Sequence, residues 1–313
     1  MEFSSFRASK SEEPKETVKR TILCLVLAAA CLGYSRGDET SAEDKSRYTL
    51  FNPTPTDSLR IWRTDHAGIV PYTIDAGHFE ADITAVSYGY DEQDFGGFFG
   101  GGIKGRTESW GYGITQVKLG LLNRVDAEVI IRPYQTITST VKFGSITLGR
   151  QTASGFGDLV SRLKLNVWGN DNGKTALSIS GDVKFPTAEH GIGELGNGQF
   201  EGGPGLEFSA QLPWEFELRI NSAINFFEDA SDSRQAAFAN LMSLSHSILS
   251  NLEGYCAFNT SVSTITGEDW IGSAKIGLNY RITKKVELYV GNSFGVTDDA
   301  IDYAPSVGVA ARF

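Results

Sequence analysis

Apolar and polar residues alternate with a period of two through most of the second half of this chain. Between residues 270 and 282, apolar or small side chains interleave with Ser273, Lys275, Asn279 and Arg281. Residues 159–167 and 216–226 repeat the pattern, with a charged or polar side chain at almost every second position. Period two places successive side chains on opposite faces of a β-strand. The pattern therefore predicts two-faced strands of about ten residues, the length that crosses a bilayer in a barrel.

Twelve such strands can be placed along the sequence, with connections that alternate in length. Short turns such as Leu122-Asn123 and Thr283-Lys284 alternate with longer Gly- or Asp-rich connections such as 91–109 and 136–155. Outer-membrane barrels have short periplasmic turns and longer outer loops, so both termini are expected in the periplasm. The sequence predicts an all-β fold: a single antiparallel up-and-down transmembrane β-barrel of about twelve strands. The predicted strands are 78–90, 109–121, 124–135, 156–169, 174–186, 200–213, 215–228, 234–248, 252–264, 269–282, 285–297 and 304–313.

Two other fold classes agree less well with the sequence. A soluble sandwich also alternates, but it seldom repeats apolar strands this long. A helical membrane protein would be far more apolar than this chain of 313 residues, with 41% hydrophobic residues and a mean hydropathy of −0.17. The net charge of −10 and pI near 5.0 argue against a nucleic-acid partner, which requires a basic face.

The one continuous apolar run, residues 21–33, follows the basic pair Lys19-Arg20. It is too short to span a bilayer and is typical of a secretory signal peptide, so residues 1–34 are predicted to be a signal peptide with its n-region. Cleavage after residues 28–30 and lipidation of Cys31 both remain open. Either way, the sequence predicts export.

Residues 35–77 precede the predicted barrel, which occupies residues 78–313. They are irregular in pattern and contain Pro53, Pro55 and Pro71. Two interpretations remain open at this point. The segment is either a solvated periplasmic tail or a chain in which residues 51–72 fold back into the lumen and narrow it.

Projecting the predicted strands places many charged side chains on the inward face. A charge facing hydrocarbon costs about 2–4 kcal/mol for Lys or Arg near the bilayer centre, so these side chains must face water or one another. They can form a salt-bridge network that holds the wall, or a narrow polar constriction that selects solutes, and both roles are compatible. The predicted lumen-lining residues are Glu80, Asp82, Lys118, Asp126, Glu128, Arg132, Asp158, Arg162, Lys164, Asp182, Lys184, Glu207, Glu217, Arg219, Lys275, Arg281, Glu287 and Arg312.

No catalytic, cofactor-binding or metal-binding motif emerges from the sequence. Ser245 and His246 are adjacent in a predicted strand, so they point to opposite faces and cannot share a proton. His190 stands alone in a loop, and neither a nucleophile elbow nor an HExxH motif is present. The sequence therefore predicts that the protein is not an enzyme and needs no cofactor.

Four segments, taken in order, resemble the outer-membrane β-barrel family of transporters labelled "meta-pathway of phenol degradation". They are PYTIDAGHFE at 71–80, GLLNRVD at 120–126, SGFGDLVSRLK at 154–164 and KFPT at 184–187. The resemblance extends from about Arg63 to Phe313. One departure is visible: members often carry an Asp-Arg-Pro-Asp run before the first strand, where this chain has Asp65-His66-Ala67-Gly68.

The resemblance implies passage of small solutes through a narrow charged lumen in the outer membrane, with aromatic or other apolar compounds as candidates. The alternative is a non-transporting barrel that acts as a structural anchor or surface-binding protein. Residues 304–313 resemble the closing strand of such barrels, whose terminal aromatic, here Phe313, is the assembly signal. The implied partners are outer-membrane lipids, the barrel-assembly machinery and a small-molecule solute. If apolar solutes are carried, Phe95, Phe98 and Phe99 in an outer loop are the expected point of entry.

Overall fold

The computed structural model describes residues 45–64, 66–95, 103–171, 173–188, 195–228 and 233–313. The predicted signal peptide lies outside the described residues, as do Phe98, Phe99 and His190. Within those ranges, helical structure is limited to the 3-10 turns Lys45–Arg47 and Pro213–Glu215. No helix there is long and apolar enough to cross a membrane.

The rest of the described chain is dominated by one antiparallel sheet. Its strands are long because alternation keeps residues of one kind on the same side along each strand. Each face can therefore stay in a single environment, apolar or polar, over the whole length of the strand. The strands are β1 (Phe79–Asp94), β2 (Ile103–Leu122), β3 (Val125–Ile131), β4 (Tyr134–Phe143), β5 (Ile146–Gly155), β6 (Leu159–Trp168), β7 (Thr175–Phe185), β8 (Glu201–Gln211), β9 (Phe216–Glu228), β10 (Arg234–Leu249), β11 (Leu252–Ser263), β12 (Ile271–Thr283), β13 (Val286–Gly295) and β14 (Tyr303–Arg312).

The sheet closes on itself because β1 has a partner on each side. Glu80 of β1 pairs with Arg312 of β14 and with Lys118 of β2. Every other neighbour in the sheet is antiparallel, from β14 back through β13 to β6 and β3. Closure leaves an open edge only along β5, which pairs with β4 alone, so the backbone groups of the other described strands are satisfied by neighbouring strands.

Two of the barrel strands are interrupted. β2 pairs with β3 along its later half and with β4 along its earlier half, so β3 and β4 are one course of the chain broken at Arg132-Pro133. A proline has no N–H to donate to a ladder, which accounts for the break. β5 and β6 form the next course, broken at residues 156–158. Counted around the circumference the barrel has twelve strands, as the sequence predicted, and β10 confirms the eighth.

Two of the predicted outer connections are wrong. Residues 91–109 and 136–155 were expected to be loops, but β1 continues to Asp94, β2 begins at Ile103, and β4 and β5 form a hairpin. Gly144, with φ of +59°, lies at the turn of this hairpin. The prediction placed strands only where large apolar residues recur on a lipid-facing side. Strand pairing also satisfies the backbone hydrogen bonds of segments that extend above the bilayer, so strands form there without such a side. Residues 88–95, 103–112 and 134–155 together form what we call the outer extension.

The outward face of the wall is apolar. Leu278, Val290 and Val307 lie side by side on β12, β13 and β14 and are 43%, 51% and 46% exposed. A contiguous apolar surface of this kind, present on strand after strand, is suited to hydrocarbon rather than water.

Aromatic rings border this apolar face at both ends. At the outer end the rings of Tyr88 and Trp110 lie 4.6 Å apart, and Tyr112 lies 6.0 Å from Tyr134. At the end of the short turns, Phe79 stacks on Phe313 at 4.7 Å. Two aromatic girdles around an apolar band are typical of transmembrane β-barrels, because these rings prefer the interface of membrane and water.

A charge placed in the middle of the apolar band tests this arrangement. We expect Val290→Arg to destabilise the barrel by about 2–4 kcal/mol, because the guanidinium would face hydrocarbon. Ser250→Arg, in an exposed short turn, is the matched control and should leave stability unchanged. The measurement is the denaturant midpoint of the barrel folded into lipid vesicles. Equal midpoints for the two variants would contradict the assignment of the lipid-facing side.

Candidate functional site

The charged residues that the sequence assigned to the inward face differ in burial. Those that are partly exposed are Arg132, Arg162, Asp182, Lys184, Glu217, Lys275 and Arg281. Those that are less than a tenth exposed are Glu80, Asp82, Lys118, Asp126, Glu128, Asp158, Lys164, Glu207, Arg219, Glu287 and Arg312. Burial of this many charges requires partners, because an unpaired buried charge costs several kcal/mol.

Some of these partners come from neighbouring strands of the wall. Arg162 binds Asp182 in a bidentate manner, with Nε 2.7 Å from Oδ1 and Nη2 2.8 Å from Oδ2, and its Nη1 lies 3.2 Å from Glu128. Lys118 Nζ lies 3.1 Å from Glu80 Oε1. Bidentate and charge-assisted contacts of this kind are the strong class of hydrogen bond, so they hold adjacent strands in register.

Other partners come from residues 60–64 and 66–76, which we call the lumen segment. The segment starts at the rim of the short turns, where Arg60 binds Asp171 through Nε at 2.7 Å and the carbonyl of Asn123 through Nη2 at 2.9 Å. It returns to the same rim at Thr73, whose N–H donates to Asn170 Oδ1 at 2.9 Å. Between these points it contacts inward side chains of β1, β6, β9, β12 and β13. The lumen segment therefore spans the interior at the level of the lower wall.

Side chains of the wall satisfy the backbone of the lumen segment. Carbonyl oxygens of an irregular segment have no ladder of their own, so each buried one needs a separate donor. Inward-facing Lys, Arg and Asn side chains supply these donors from several strands. The bonds are Arg219 Nη1 to Thr64 O at 3.0 Å, Asn221 Nδ2 to Ile69 O at 2.7 Å, Lys164 Nζ to Val70 O at 3.0 Å and Asn166 Nδ2 to Pro71 O at 2.8 Å.

Apolar side chains of the lumen segment fill the space between these polar contacts. Trp62, Val70 and Ile74 are each less than a tenth exposed, and Ala67 is fully buried. Trp62 also donates its Nε1–H to Glu80, so its polar atom is satisfied. These side chains fill part of the lumen of the lower barrel and leave a cavity with about 490 Å³ of empty space beside Trp62, Val70 and Tyr72.

The rim end of the lumen segment is held by one buried carboxylate. Asp75 is 0% exposed and accepts a hydrogen bond from the Arg60 N–H at 2.9 Å and another from Arg312. Arg312 also donates Nη1 to the Arg60 carbonyl at 2.8 Å. Asp75 thereby joins the start of the lumen segment, its end and the last strand of the barrel.

The turn of the lumen segment carries a histidine between two carboxylates. His66 Nδ1 lies 3.2 Å from Asp82 Oδ2, and His66 Nε2 lies 3.4 Å from Glu287 Oε1. The imidazole stacks on the ring of Tyr289 at 3.7 Å, and Tyr289 donates its hydroxyl to Asp82 at 2.7 Å. Lys275 Nζ donates to the His66 carbonyl at 2.8 Å.

Two of the sequence segments singled out above meet at the rim. A Cβ on Gly120 would lie 2.2 Å from the carbonyl oxygen of Asp75, so only glycine permits this approach of the lumen segment to β2. Asp126 accepts the N–H of Ile74 at 3.2 Å. PYTIDAGHFE and GLLNRVD are therefore the two sides of one docking contact.

The other two segments meet at the opposite end of the wall. Asp158 Oδ1 accepts the N–H of Ala188 at 3.0 Å, Thr187 donates to the Gly157 carbonyl at 3.0 Å, and Lys184 lies 3.5 Å from Asp158. SGFGDLVSRLK and KFPT thus form a second contact, which closes the break between β5 and β6.

All four segments lie within the part of the chain that matches a known protein family. Residues 71–313 match the protein family described as "Putative MetA-pathway of phenol degradation". The chain belongs to this family. The match confirms the resemblance drawn from the four sequence segments.

Among solved structures, the chain is similar to an outer membrane channel from Pseudomonas putida F1, at 12% identity and a TM-score of 0.57, over 80% of this chain and 100% of that chain. The translocator domain of the autotransporter NalP from Neisseria meningitidis matches at 11% identity and a TM-score of 0.45, over 80% of this chain and 90% of that one. No curated protein sequence matches the chain. The fold is that of an outer-membrane β-barrel. The apolar band and aromatic girdles of the wall agree with a location in the outer membrane.

Tyr72 marks the side of the lumen segment that faces β8 and β9. Its hydroxyl lies 2.8 Å from Ser209 Oγ and accepts a hydrogen bond from Arg63, whose guanidinium sits 4.2 Å above the ring. Burial raises the pKa of Tyr72 above its ordinary value, so the phenol stays neutral and its hydroxyl can both donate and accept hydrogen bonds.

Sequence reasoning did not single out Arg60, His66, Asp75 or Tyr289 as site residues. His66 and Asp75 lie in segments that the resemblance drew attention to, but their partners are distant in the chain. Ser245 and His246 behave as the strand geometry requires: Ser245 is buried inside, while His246 packs on Phe216 at 4.5 Å.

Proposed function

We propose that this protein is an outer-membrane channel for small solutes whose lumen is closed at rest by its own residues 60–76. One observation carries the proposal: a complete barrel surrounds a segment that belongs to none of its strands. Except for β5, which pairs with β4 alone in the outer extension, the strands pair with each other on both sides, so the barrel does not need the lumen segment for its own hydrogen bonds. Displacement of the segment would therefore expose a polar bore within an intact wall.

The contacts of the lumen segment suit a reversible closure. They are side-chain to carbonyl hydrogen bonds and ion pairs, which water can replace one by one as the segment leaves. The inward charges listed above would then line a narrow bore of both signs. A bore of twelve strands lies between filled eight-stranded barrels and wide porins, which favours selection by size.

Aromatic or other apolar compounds are the solute class that we propose. The family description refers to phenol degradation, and the outer extension presents apolar side chains above the lumen. Ile103, Val141 and Phe143 share the face opposite the girdle residues Trp110 and Tyr112, and each is about two fifths exposed. Phe95, 64% exposed, lies on the same face against Gly105. Weak apolar contacts at the mouth would concentrate such solutes before entry.

We also propose that the protein is not an enzyme and that its partners are lipids, a small solute and the barrel-assembly machinery. Assembly would be guided by β14, whose Phe313 stacks on Phe79 and pairs with it through the backbone. This pairing joins the last strand to the first, so the aromatic pair lies where the barrel closes.

Conductance and solute flux test the channel proposal. The purified full chain in planar bilayers should give brief, discrete openings, and liposomes that contain it should swell faster in phenol-sized apolar solutes than in sugars of similar mass. The closed lumen predicts a low open fraction. Silence in both assays, for the full chain and for a chain whose lumen segment has been replaced, would overturn the proposal.

The partly filled lumen also favours a second candidate, a barrel that anchors a surface-binding sheet. In that case the outer extension would be the functional part and the filled lumen would be permanent. A chain with a replaced lumen segment would then fail to conduct or would fail to fold, whereas the channel proposal requires that it fold and conduct.

A further inference from the structure

The contact of His66 with two carboxylates has a chemical consequence. A neutral imidazole carries one N–H and one lone pair, so it can donate to only one acceptor. The structure places a carboxylate oxygen at both ring nitrogens, Asp82 at 3.2 Å and Glu287 at 3.4 Å. Only the doubly protonated ring is attracted by both, because in either neutral form one lone pair faces a carboxylate oxygen.

We propose that His66 is a proton-operated latch: its imidazolium holds the lumen segment in place, and loss of one proton to solvent releases it. The latch rests on the proposed channel function, since it controls the same bore. The direction of the pH dependence of closure follows from the charge of the imidazole. The imidazolium is present at acid pH, so closure is strongest there and weakens as the pH rises.

His66 is buried closely enough that gain or loss of one proton on its ring would change how strongly the lumen segment is held. The histidine is 8% exposed and Glu287 is 2% exposed, so solvent screens their contact poorly. Among the described residues, neither His66 Nε2 nor Glu287 Oε1 has a hydrogen-bond partner, which leaves their mutual attraction as the interaction that satisfies both atoms.

The charged and titratable groups around this contact come from four strands and include Glu253 of β11, whose charge interacts with that of Glu287. Asp82 comes from β1, Tyr289 and Glu287 come from β13, and Lys275 comes from β12, where it binds the His66 carbonyl rather than the ring. Arg281 Nη2 lies 3.7 Å from the second oxygen of Glu287. The ring nitrogens themselves therefore face carboxylates from two separate strands.

The position of His66 explains why one residue could control the segment. It lies at the turn of the lumen segment, before Gly68, whose Cβ position is 2.4 Å from Leu241 on β10. The neighbouring backbone is thus closely fitted to the wall. Loss of this attraction frees the turn of the lumen segment, while Asp75 keeps the segment attached at the rim.

The test compares the full chain at about pH 5.5 and about pH 8.5, on either side of the ordinary titration range of histidine. We expect the open fraction in planar bilayers to rise by about tenfold at the higher pH, equivalent to about 1.4 kcal/mol of lost attraction. His66→Arg should stay closed at both values, and His66→Gln should be equally open at both. His246→Gln, which alters a histidine outside the lumen, is the matched control and should keep the response.

A second measurement does not depend on conductance. A nitroxide on Ile61→Cys should become more mobile as the pH rises, in a background in which Cys24, Cys31 and Cys256 are all replaced by serine; the position is 67% exposed. His66→Arg should abolish this change. If the label responds equally with and without His66, or if His66→Gln retains the pH dependence of conductance, the latch is wrong while the channel stands. If the chain with a replaced lumen segment folds but never conducts, the channel itself is wrong, and the label still reports on the latch.

Discussion

Replacement of residues 61–74 by a Gly-Ser linker of equal length is expected to convert a mostly closed protein into a persistently open channel. The linker removes Trp62, His66 and Val70 from the lumen and gives the wall no carbonyls in fixed positions to bind. The inward-facing charged side chains that contact the segment become hydrated and are not left buried without partners, so the barrel remains folded. We expect the time-averaged conductance in planar bilayers to rise by at least about tenfold, since the bore of a twelve-stranded barrel is then limited by side chains alone.

The control replaces residues 55–58, which precede the lumen segment and are mostly exposed, by the same type of linker. This change should leave the conductance as it is in the unaltered chain. Folding of both variants is checked by the shift in electrophoretic mobility on heating. A folded linker variant with unchanged conductance would contradict the role of residues 60–76 as the closure.

The second large effect is expected at the rim, from Asp75→Asn. This change removes the negative charge that faces Arg60 and Arg312, both of which are less than a tenth exposed. Removing one partner of a buried ion pair typically costs about 3–5 kcal/mol, because the remaining charges are left without compensation. Release of the lumen segment relieves that cost by returning Arg60 to water, so docking of the segment is lost before the barrel unfolds.

Limited proteolysis by trypsin measures this release, because Arg60 and Arg63 are cleavage sites inside the docked segment. We expect rapid cleavage there in Asp75→Asn, with the strands of the barrel still protected. Asp57→Asn removes an exposed carboxylate just before the lumen segment and is the matched control. Protection of Arg60 and Arg63 to the same degree in both variants would show that Asp75 does not hold the segment.

These two predictions test two parts of the lumen segment, the residues inside the bore and the contact at the rim. The rim contact at Asp75 is a buried ion pair between one carboxylate and two guanidinium groups, and it acts as the fixed hinge. The contact at His66 is the one that the proposed latch releases. A channel with this arrangement would stay tethered at the periplasmic rim while its inner contact opens and closes.

The amino-acid sequence by itself determined the barrel. Alternation of two unlike faces is a local property, visible within about ten residues, and lipid on one side imposes it on every strand. Residues such as Leu278 and Val290 were therefore predictable as lipid-facing, and Glu80 and Lys118 as inward. Local pattern was less informative for residues 134–155, where pairing continues above the bilayer without a lipid-facing set.

Only the tertiary structure decided what the interior contains. Residues 60–76 have no periodicity, because their backbone is satisfied by individual side chains from distant strands rather than by a ladder. His66 meets Asp82 and Glu287, and Asp75 meets Arg312, across separations that no local pattern encodes. Contacts of this kind depend on closure of the barrel, which brings the first and last strands together around the lumen segment. For that physical reason the wall was predictable from sequence, while the closed lumen and its histidine required the fold.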